Sequence, residues 1–366
     1  MRSHTVAYLP GDGIGAEVCE VAHRCVDAAG LRFGFEVRWD EQLVGGAAID
    51  ATGEPLPAAT LDACRAADAV LLGAVGGPRW DDPSAASRPE DALLGLRSAL
   101  ELFANLRPVT AHAALEAASP LRPEVRAGAD LIIVRELTGG LYFGRPQGRS
   151  TDDGVESVVD TLRYTRPEIV RIVELAFDLA EGRRGHLTSV DKANVLASSR
   201  LWREVVEQIA PNHPSVTVEH ALVDSTAYLL LTQPTHYDVI VTENLFGDIL
   251  SDEAAAIAGS LGLLASASLG TRVTETGRFG LYEPVHGSAP GIAGQGVANP
   301  LATVASAAML LRWSLGEADA ADTLDAAVNA AIEDGPRTGD LGGSDGTEAV
   351  AGFLLTKVGQ AEEVPA

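Results

Sequence analysis

Asp248 and Asp252, in Phe246-Gly247-Asp248-Ile249-Leu250-Ser251-Asp252-Glu253, stand four residues apart. On a helix that spacing puts both carboxylates on one face, where like charges repel. The segment follows an apolar run and is flanked by Ile249, Leu250 and several alanines, so the face is only partly solvated. A hard divalent cation with oxygen ligands, Mg2+ or Mn2+, would relieve the repulsion. The plain alternative is a solvated acidic face. Lys192 is a second candidate, because only it and Lys357 are lysines among 27 basic residues. It sits in the small, apolar setting Ser189-Val190-Asp191-Lys192-Ala193-Asn194-Val195 of a chain that otherwise uses arginine. Arginine keeps its proton at working pH, whereas a partly buried lysine near a cation can act as a base. Chance retention is the competing reading.

Three arginines suit the recognition of anions. Arg97 lies in a helical stretch, Arg107 in Asn105-Leu106-Arg107-Pro108, and Arg135 directly after Leu131-Ile132-Ile133-Val134. Guanidinium groups at the ends of buried strands hold carboxylates or phosphates in bidentate fashion. For any one of 25 arginines, surface charge is the simpler account. Two glycine-rich stretches could meet a nucleotide. Gly11-x-Gly13-x-x-Ala16 fits a dinucleotide fingerprint between strand and helix, with Asp40 further on as the ribose acid, although a tight turn needs the same glycines. The stretch from Glu283 to Asn299, with His286 and several glycines ahead of an Ala-rich helix, suits phosphate or ribose, or a simple turn.

These residues need elements to position them. Strand-like runs Val6 to Leu9, Phe33 to Val37 and Ala69 to Leu72 alternate with amphipathic stretches, which predicts an α/β sheet with parallel pairing. A Gly-, Pro- and Ser-rich loop from Gly76 to Pro89 precedes helical spacing over Glu90 to Phe103, then a strand through Val109. Further strands are expected at Leu131 to Val134 and Asp238 to Thr242, with helices at Pro167 to Glu181 and from Asn299-Pro300 to about Leu315. The stretch Gly259 to Gly270 reads as a crossing between domains.

Composition bounds the function. A chain of 366 residues with 46% hydrophobic residues makes one large or two joined globular domains. A net charge of −24 argues against nucleic acid or an anionic membrane as partner. Cys19, Cys25 and Cys64 form no C-x-x-C pair, and the N-terminus has no apolar signal region, so a reduced, cytoplasmic setting and small core cysteines are expected.

PGDGIGAEV, LLGAVGGPRWD, LLGLRSALELFANLRPV, VRELTGGLYFG, DKANVL, NLFGDILSDEAAAIAGSLGLLASASLG, EPVHGSAPGIAGQGVANP and DLGGSDGTEAV occur in that order between about Val6 and Leu355. Taken together they resemble the 3-isopropylmalate dehydrogenases, metal-dependent β-decarboxylating dehydrogenases of leucine biosynthesis. The resemblance implies an α/β, isocitrate/isopropylmalate dehydrogenase-like fold that is not a Rossmann fold, with a mixed sheet flanked by helices and two domains around a cleft. Residues 1–102 and 259–366 would form the cofactor-binding domain, and 103–258 the dimerisation and metal-binding domain.

The implied activity is oxidation and decarboxylation of (2R,3S)-3-isopropylmalate to 4-methyl-2-oxopentanoate and CO2, with reduction of NAD. Arg97, Arg107 and Arg135 match the substrate arginines, Asp224, Asp248 and Asp252 the Mg2+ or Mn2+ ligands, and Tyr142 and Lys192 the catalytic pair. Asp224 would also meet substrate. Leu93 and Leu94, one turn before Arg97, and Val195 would contact the alkyl group, where isocitrate relatives carry short polar side chains. Cofactor contacts are implied along Gly77 to Glu90 and Gly287 to Asn299, at Gly77, Glu90, His286, Gly287, Ser288, Ala289, Gly291, Ile292 and Asn299. Asp40 then loses its ribose role. A homodimer is implied in which the lysine and one aspartate reach in from the second subunit. One position departs from the pattern: NAD users carry an acid where Gly291 stands, and no basic residue of the NADP type lies between Gly287 and Asn299. A paralogue acting on another 3-alkylmalate, D-malate or tartrate, and a non-catalytic regulatory subunit, are the alternatives.

Overall fold

The computed structural model describes residues 1–80 and 87–360. Along the chain the strands are β1 (Arg2–Gly11), β2 (Phe35–Glu41), β3 (Ala69–Ala74), β4 (Leu102–Thr110), β5 (Asp130–Glu136), β6 (Gly148–Asp152), β7 (Val155–Val159), β8 (His186–Asp191), β9 (Thr217–Leu222), β10 (Val239–Thr242), β11 (Ala265–Val273) and β12 (Arg278–Pro284). The helices are α1 (Gly15–Phe33), α2 (Gly45–Thr52), α3 (Ala58–Ala66), α4 (Glu90–Ala99), α5 (Pro123–Arg126), α6 (Arg166–Glu181), α7 (Ala197–Ile209), α8 (Val223–Thr232), α9 (Asn244–Ala258), α10 (Leu301–Trp313), α11 (Ala318–Asp334) and α12 (Thr347–Gly359). Among the described residues no helix is long and apolar enough to cross a membrane.

Two compact units result. The first comprises Met1–Leu102, His112–Pro120 and Ala258–Ala366. The stretch His112–Pro120 groups with this unit although it lies within the 103–258 span expected for the second domain. Its strands lie in the order β2-β1-β3-β12-β11, with β11 antiparallel to β12 and the other pairs parallel. Side chains of a strand alternate between faces. Ala7, Leu9, Val70, Leu72 and Leu281 therefore pack with Cys64 of α3 and Ala92 and Leu96 of α4. On the other face α10 covers β12 and β11, and α1 lies against α10, α11 and α12. Cys19, Cys25 and Cys64 are buried free thiols whose pKa burial pushes up, as small core residues.

Two sequence expectations shift here. The helix from Glu90 ends at Ala99 rather than Phe103, because Glu101 turns the chain with φ +52° and Phe103 already belongs to β4. The crossing at Gly259 to Gly270 contains the start of β11.

The turn at Gly11 to Ala16 is filled by protein. Gly11 and Gly13 have φ of +73° and +59°, and a Cβ on either would lie 2.0 Å from a carbonyl oxygen, of Ala74 and Ser288 respectively. The Asp12 carboxylate accepts from the backbone N–H groups of Gly46, Ala47 and Gly76, each at 2.8 Å. The space above Gly11 and Gly13 that a pyrophosphate would need is thus taken by protein carbonyls, and Asp40 accepts from Gln42 Nε2. The fingerprint is a tight strand-to-helix turn.

The second unit comprises Phe103–Ala111 and Leu121–Ile257. Its strands lie in the order β4-β5-β10-β8-β9, with β4 antiparallel to β5 and the rest parallel. Leu131 to Val134 and Val239 to Val241 are continuous apolar runs because these strands are buried on both faces. Helix α6 packs on β5, β10 and β8. It is fixed at its start by a capping box of Thr165 and Glu168, with Pro167 in the first turn. β6 and β7 form a separate two-stranded ribbon carrying exposed Val155 and Val158.

Candidate active site

In the second unit the carboxyl ends of parallel strands place most of the candidate residues, as open α/β sheets do with their ligands. Arg135 lies near the end of β5, Lys192 follows β8, Asp224 opens α8 after β9, and α9 begins two residues after β10. Arg107 reaches the same group from β4, where Asn105 pairs with Arg135 across the antiparallel ladder.

Asp248 and Asp252 share a face of α9 as their spacing requires, and two guanidinium groups hold them. Arg107 Nη1 donates to Asp252 Oδ1 at 2.9 Å, and Arg107 Nη2 lies 3.8 Å from Asp248 Oδ1. Arg135 Nη1 donates to Asp248 Oδ1, while its Nε and Nη2 donate to Asn244 Oδ1 at 3.1 and 2.8 Å. The Tyr142 hydroxyl donates to Asp248 Oδ2 at 2.7 Å, and the Arg135 guanidinium lies over the Tyr142 ring. Both arginines are buried, whereas the Asp252 side chain is 63% exposed. The repulsion read from the sequence is thus already opposed by two fixed cations.

Lys192 and Asp224 form a pair of their own. Lys192 Nζ donates to Asp224 Oδ1, and this bond lowers the pKa of the Asp224 carboxyl. Asp224 is largely exposed. Lys192 is fixed from behind: Ser199 Oγ accepts from its backbone N–H, and the neighbouring Asp191 carboxylate receives Arg203. Val195, three residues on, is 63% exposed. The set is balanced in charge, with three carboxylates against Arg107, Arg135 and Lys192. Asp224, Asp248 and Asp252 each offer the oxygen donors that Mg2+ or Mn2+ takes, but within one chain they are not among the groups whose ligand atoms lie within 4.8 Å of one another.

The first unit holds the remaining candidates. Arg97, on α4, is buried; its Nη2 donates to Glu283 Oε1 at 3.3 Å, and its Nε has no hydrogen-bond partner among the described residues. Leu93 packs partly against the core, which leaves Leu94 as the more exposed of the two, at 38%. A cavity of about 390 Å³ is lined by His286, Ile292 and Asn299 with Ile14, Val297 and Asp340. Burial lowers the His286 pKa and leaves its Nε2 without a partner, while Nδ1 meets the Gly287 carbonyl oxygen. Asn299 Nδ2 donates to Asp340 at 3.0 Å.

The loop behind this cavity is held by backbone contacts. Ser288 is buried, and its carbonyl accepts from Ile14 N; Ala289 has φ +39°; Glu17 accepts from Gly294 N and Gly296 N. A Cβ at Gly287 or Gly291 would meet nothing within 4 Å. An apolar cavity edged by an unpartnered imidazole nitrogen fits a dinucleotide base or ribose. Gly77 lies against Trp80, and Glu90 Oε1 approaches Gly76. Residues 81–86 of the Gly77 to Glu90 loop lie outside the described residues.

Sequence reasoning missed four residues. Asn244 fixes Arg135, Glu283 pairs with Arg97, Glu17 pins the 287–299 loop, and Asp12 staples the first turn. All four stood in stretches already singled out, Asp12 and Glu17 in PGDGIGAEV, Asn244 at the head of NLFGDILSD and Glu283 at the head of EPVHGSAPG, but nothing in those stretches named their partners.

Fold and site together describe an α/β protein of the kind that acts on a small molecule. A family model for isocitrate/isopropylmalate dehydrogenase matches residues 5–354. The chain belongs to that family of dehydrogenases. It is 56% identical over 346 residues to a 3-isopropylmalate dehydrogenase of Geobacillus kaustophilus, covering 94% of this chain and 92% of the relative. It is 55% identical over 353 residues to one of Anaeromyxobacter dehalogenans, covering 96% and 99%. Among solved structures it resembles an isocitrate dehydrogenase from Methylococcus capsulatus, with a TM-score of 0.86, 37% identity, and coverage of 98% of this chain and 100% of that one.

Proposed function

We propose that this protein oxidises and decarboxylates (2R,3S)-3-isopropylmalate to 4-methyl-2-oxopentanoate and CO2, passing hydride to NAD, in leucine biosynthesis. The observation that carries the choice of substrate is Leu94, exposed on α4 one turn before Arg97. An apolar group there accepts an isopropyl substituent, and α4 offers no cation besides Arg97 for a third carboxylate. Relatives of that name at 55% identity or more support the same reading.

The residues divide the work by chemistry. Arg97, Arg107 and Arg135 hold the two carboxylates of the malate core, and Asn244 keeps the Arg135 fork in plane. Lys192 takes the proton of the substrate hydroxyl as hydride leaves the same carbon for the nicotinamide. Asp224, Asp248 and Asp252 hold a divalent cation, which when bound lowers the hydroxyl pKa and stabilises the enolate charge that develops as CO2 departs. Tyr142, whose hydroxyl is already a donor to Asp248, returns a proton to carbon. The cavity at His286 receives NAD. Lys192 and Asp224 act on the site of a second copy in a homodimer, a reading supported by exposed Val195, three residues after Lys192, and exposed Tyr228, one turn after Asp224.

The test is turnover of a panel of 3-alkylmalates, isocitrate and D-malate with Mn2+ and either NAD or NADP. The highest kcat/KM is expected for 3-isopropylmalate with NAD, and Lys192→Met should lower kcat about 10²- to 10⁴-fold. Preference for isocitrate overturns the Leu94 argument. No turnover of any substrate overturns the activity.

A further inference from the structure

The amino ends of β8 and β10 gather a second set of donors, away from the carboxyl-end site. His186 opens β8, Glu219 lies within β9, and His236 ends the short 3₁₀ turn Pro234–His236 before β10. In the parallel ladder His186 pairs with Thr217 and Thr188 with Glu219, so His186 and Glu219 are diagonal neighbours on one face. His236 Nε2 lies 2.7 Å from Glu219 Oε2, and His186 Nε2 lies 3.5 Å from the same oxygen. One ligand atom from each residue falls within 4.8 Å of the others. The two imidazole rings meet edge to face at 76°, with centroids 5.2 Å apart, so they are not stacked, and the Nε2 atoms of both approach the same Glu219 oxygen.

The surroundings leave these donors for one another. Arg183 Nε is engaged by Asp238 at 2.7 Å, and Arg184 Nη1 and Nη2 donate to the carbonyl oxygens of Asp130 and Tyr237. Among the described residues the charged partners of Glu219 are the two histidines.

We propose that His186, Glu219 and His236 bind a borderline divalent ion of the Zn2+ class. Two imidazoles and one carboxylate form a three-ligand set that Zn2+ favours and that Mg2+ and Mn2+, which prefer oxygen throughout, do not. A tetrahedral ion with bonds of about 2.0–2.2 Å needs ligand atoms about 3.3 Å apart, close to the separations seen here. All three side chains are partly exposed, which leaves the fourth position to water. The site lies at the start of β8 and Lys192 follows its end, about 16 Å of strand away, so it serves no step of the reaction. Its ion ties β9, the edge strand of this unit's order, to β8 and to the turn before β10.

The experiment titrates Zn2+ calorimetrically into the full chain kept in saturating Mg2+, with Co2+ absorption as a second readout. The expected result is one Zn2+ equivalent per chain and intense visible Co2+ bands of a tetrahedral nitrogen-containing site. His236→Gln and His186→Asn should each weaken Zn2+ at least tenfold with Mg2+-supported activity unchanged, and Asp252→Asn should leave Zn2+ binding intact. Glu219→Gln replaces either histidine variant that fails to fold. No saturable Zn2+ site, a site that persists in the histidine variants, or one that disappears in Asp252→Asn overturns the proposal.

Discussion

Asp12→Ala separates a structural reading of the first glycine-rich turn from a cofactor-binding one. The substitution removes the acceptor of three backbone N–H groups, at Gly46, Ala47 and Gly76. Gly46 and Gly76 are buried and Ala47 is partly so. A buried N–H left without an acceptor costs about 1–3 kcal/mol. Two such groups and a third that water partly reaches therefore amount to about 3–6 kcal/mol. Spread over 366 residues at roughly 2.1 cal/mol/K per residue, that loss lowers Tm by about 4–8 °C. Asp12→Asn keeps one acceptor oxygen but turns N–H groups toward N–H groups, so it falls between wild type and alanine. Scanning calorimetry and urea unfolding measure the loss, and steady-state kinetics give the KM for NAD. A Tm within about 1 °C of wild type, with a raised KM for NAD, would refute the structural assignment of this turn.

The His286 and Gly291 region makes two further predictions. Burial lowers the His286 pKa, so on acidification the unfolded chain takes up this proton first, below about pH 6.5, and the folded chain only at lower pH. The stability from this group is present above that pH and lost as pH falls through the folded pKa. The stability advantage of wild type over His286→Gln should therefore shrink between pH 7 and pH 5 in urea titrations, and parallel curves refute the burial argument. Gly291→Asp adds a carboxylate where a Cβ meets nothing within 4 Å. One new hydrogen bond to a ribose hydroxyl should lower the KM for NAD about 2- to 10-fold, and an unchanged KM refutes this account of the loop.

The sequence carried the parts of the site that local spacing encodes. Asp248 and Asp252 announce a shared helical face by their separation, and Lys192 stands out because arginine is used almost everywhere else. The positions of β5 and β10 were equally plain, since Leu131 to Val134 and Val239 to Val241 are continuous apolar runs. Pairing across distance was not legible. Glu283 meets Arg97 across 186 residues and Asn244 meets Arg135 across 109, and nothing in either short stretch names its partner. The end of α4 was misread because Leu100, Leu102 and Phe103 are apolar in either conformation, and the left-handed turn at Glu101 carries no glycine to mark it. Asp224 lies in a stretch whose spacing offers no second carboxylate, so only the order of motifs pointed to it.

The division of the chain also sets a timetable for synthesis. The second unit is contiguous between Leu121 and Ile257 apart from the short β4 segment, so all its strands have left the ribosome while the first unit is incomplete. In the first unit β3 must wait for β12, its neighbour in the sheet but some two hundred residues later in the chain. At roughly 5–20 residues per second the two hundred or so residues between β3 and β12 take about 10–40 s to appear. During that interval β3 has a free edge on its β12 side, and the nascent chain is most vulnerable there to pairing with another copy.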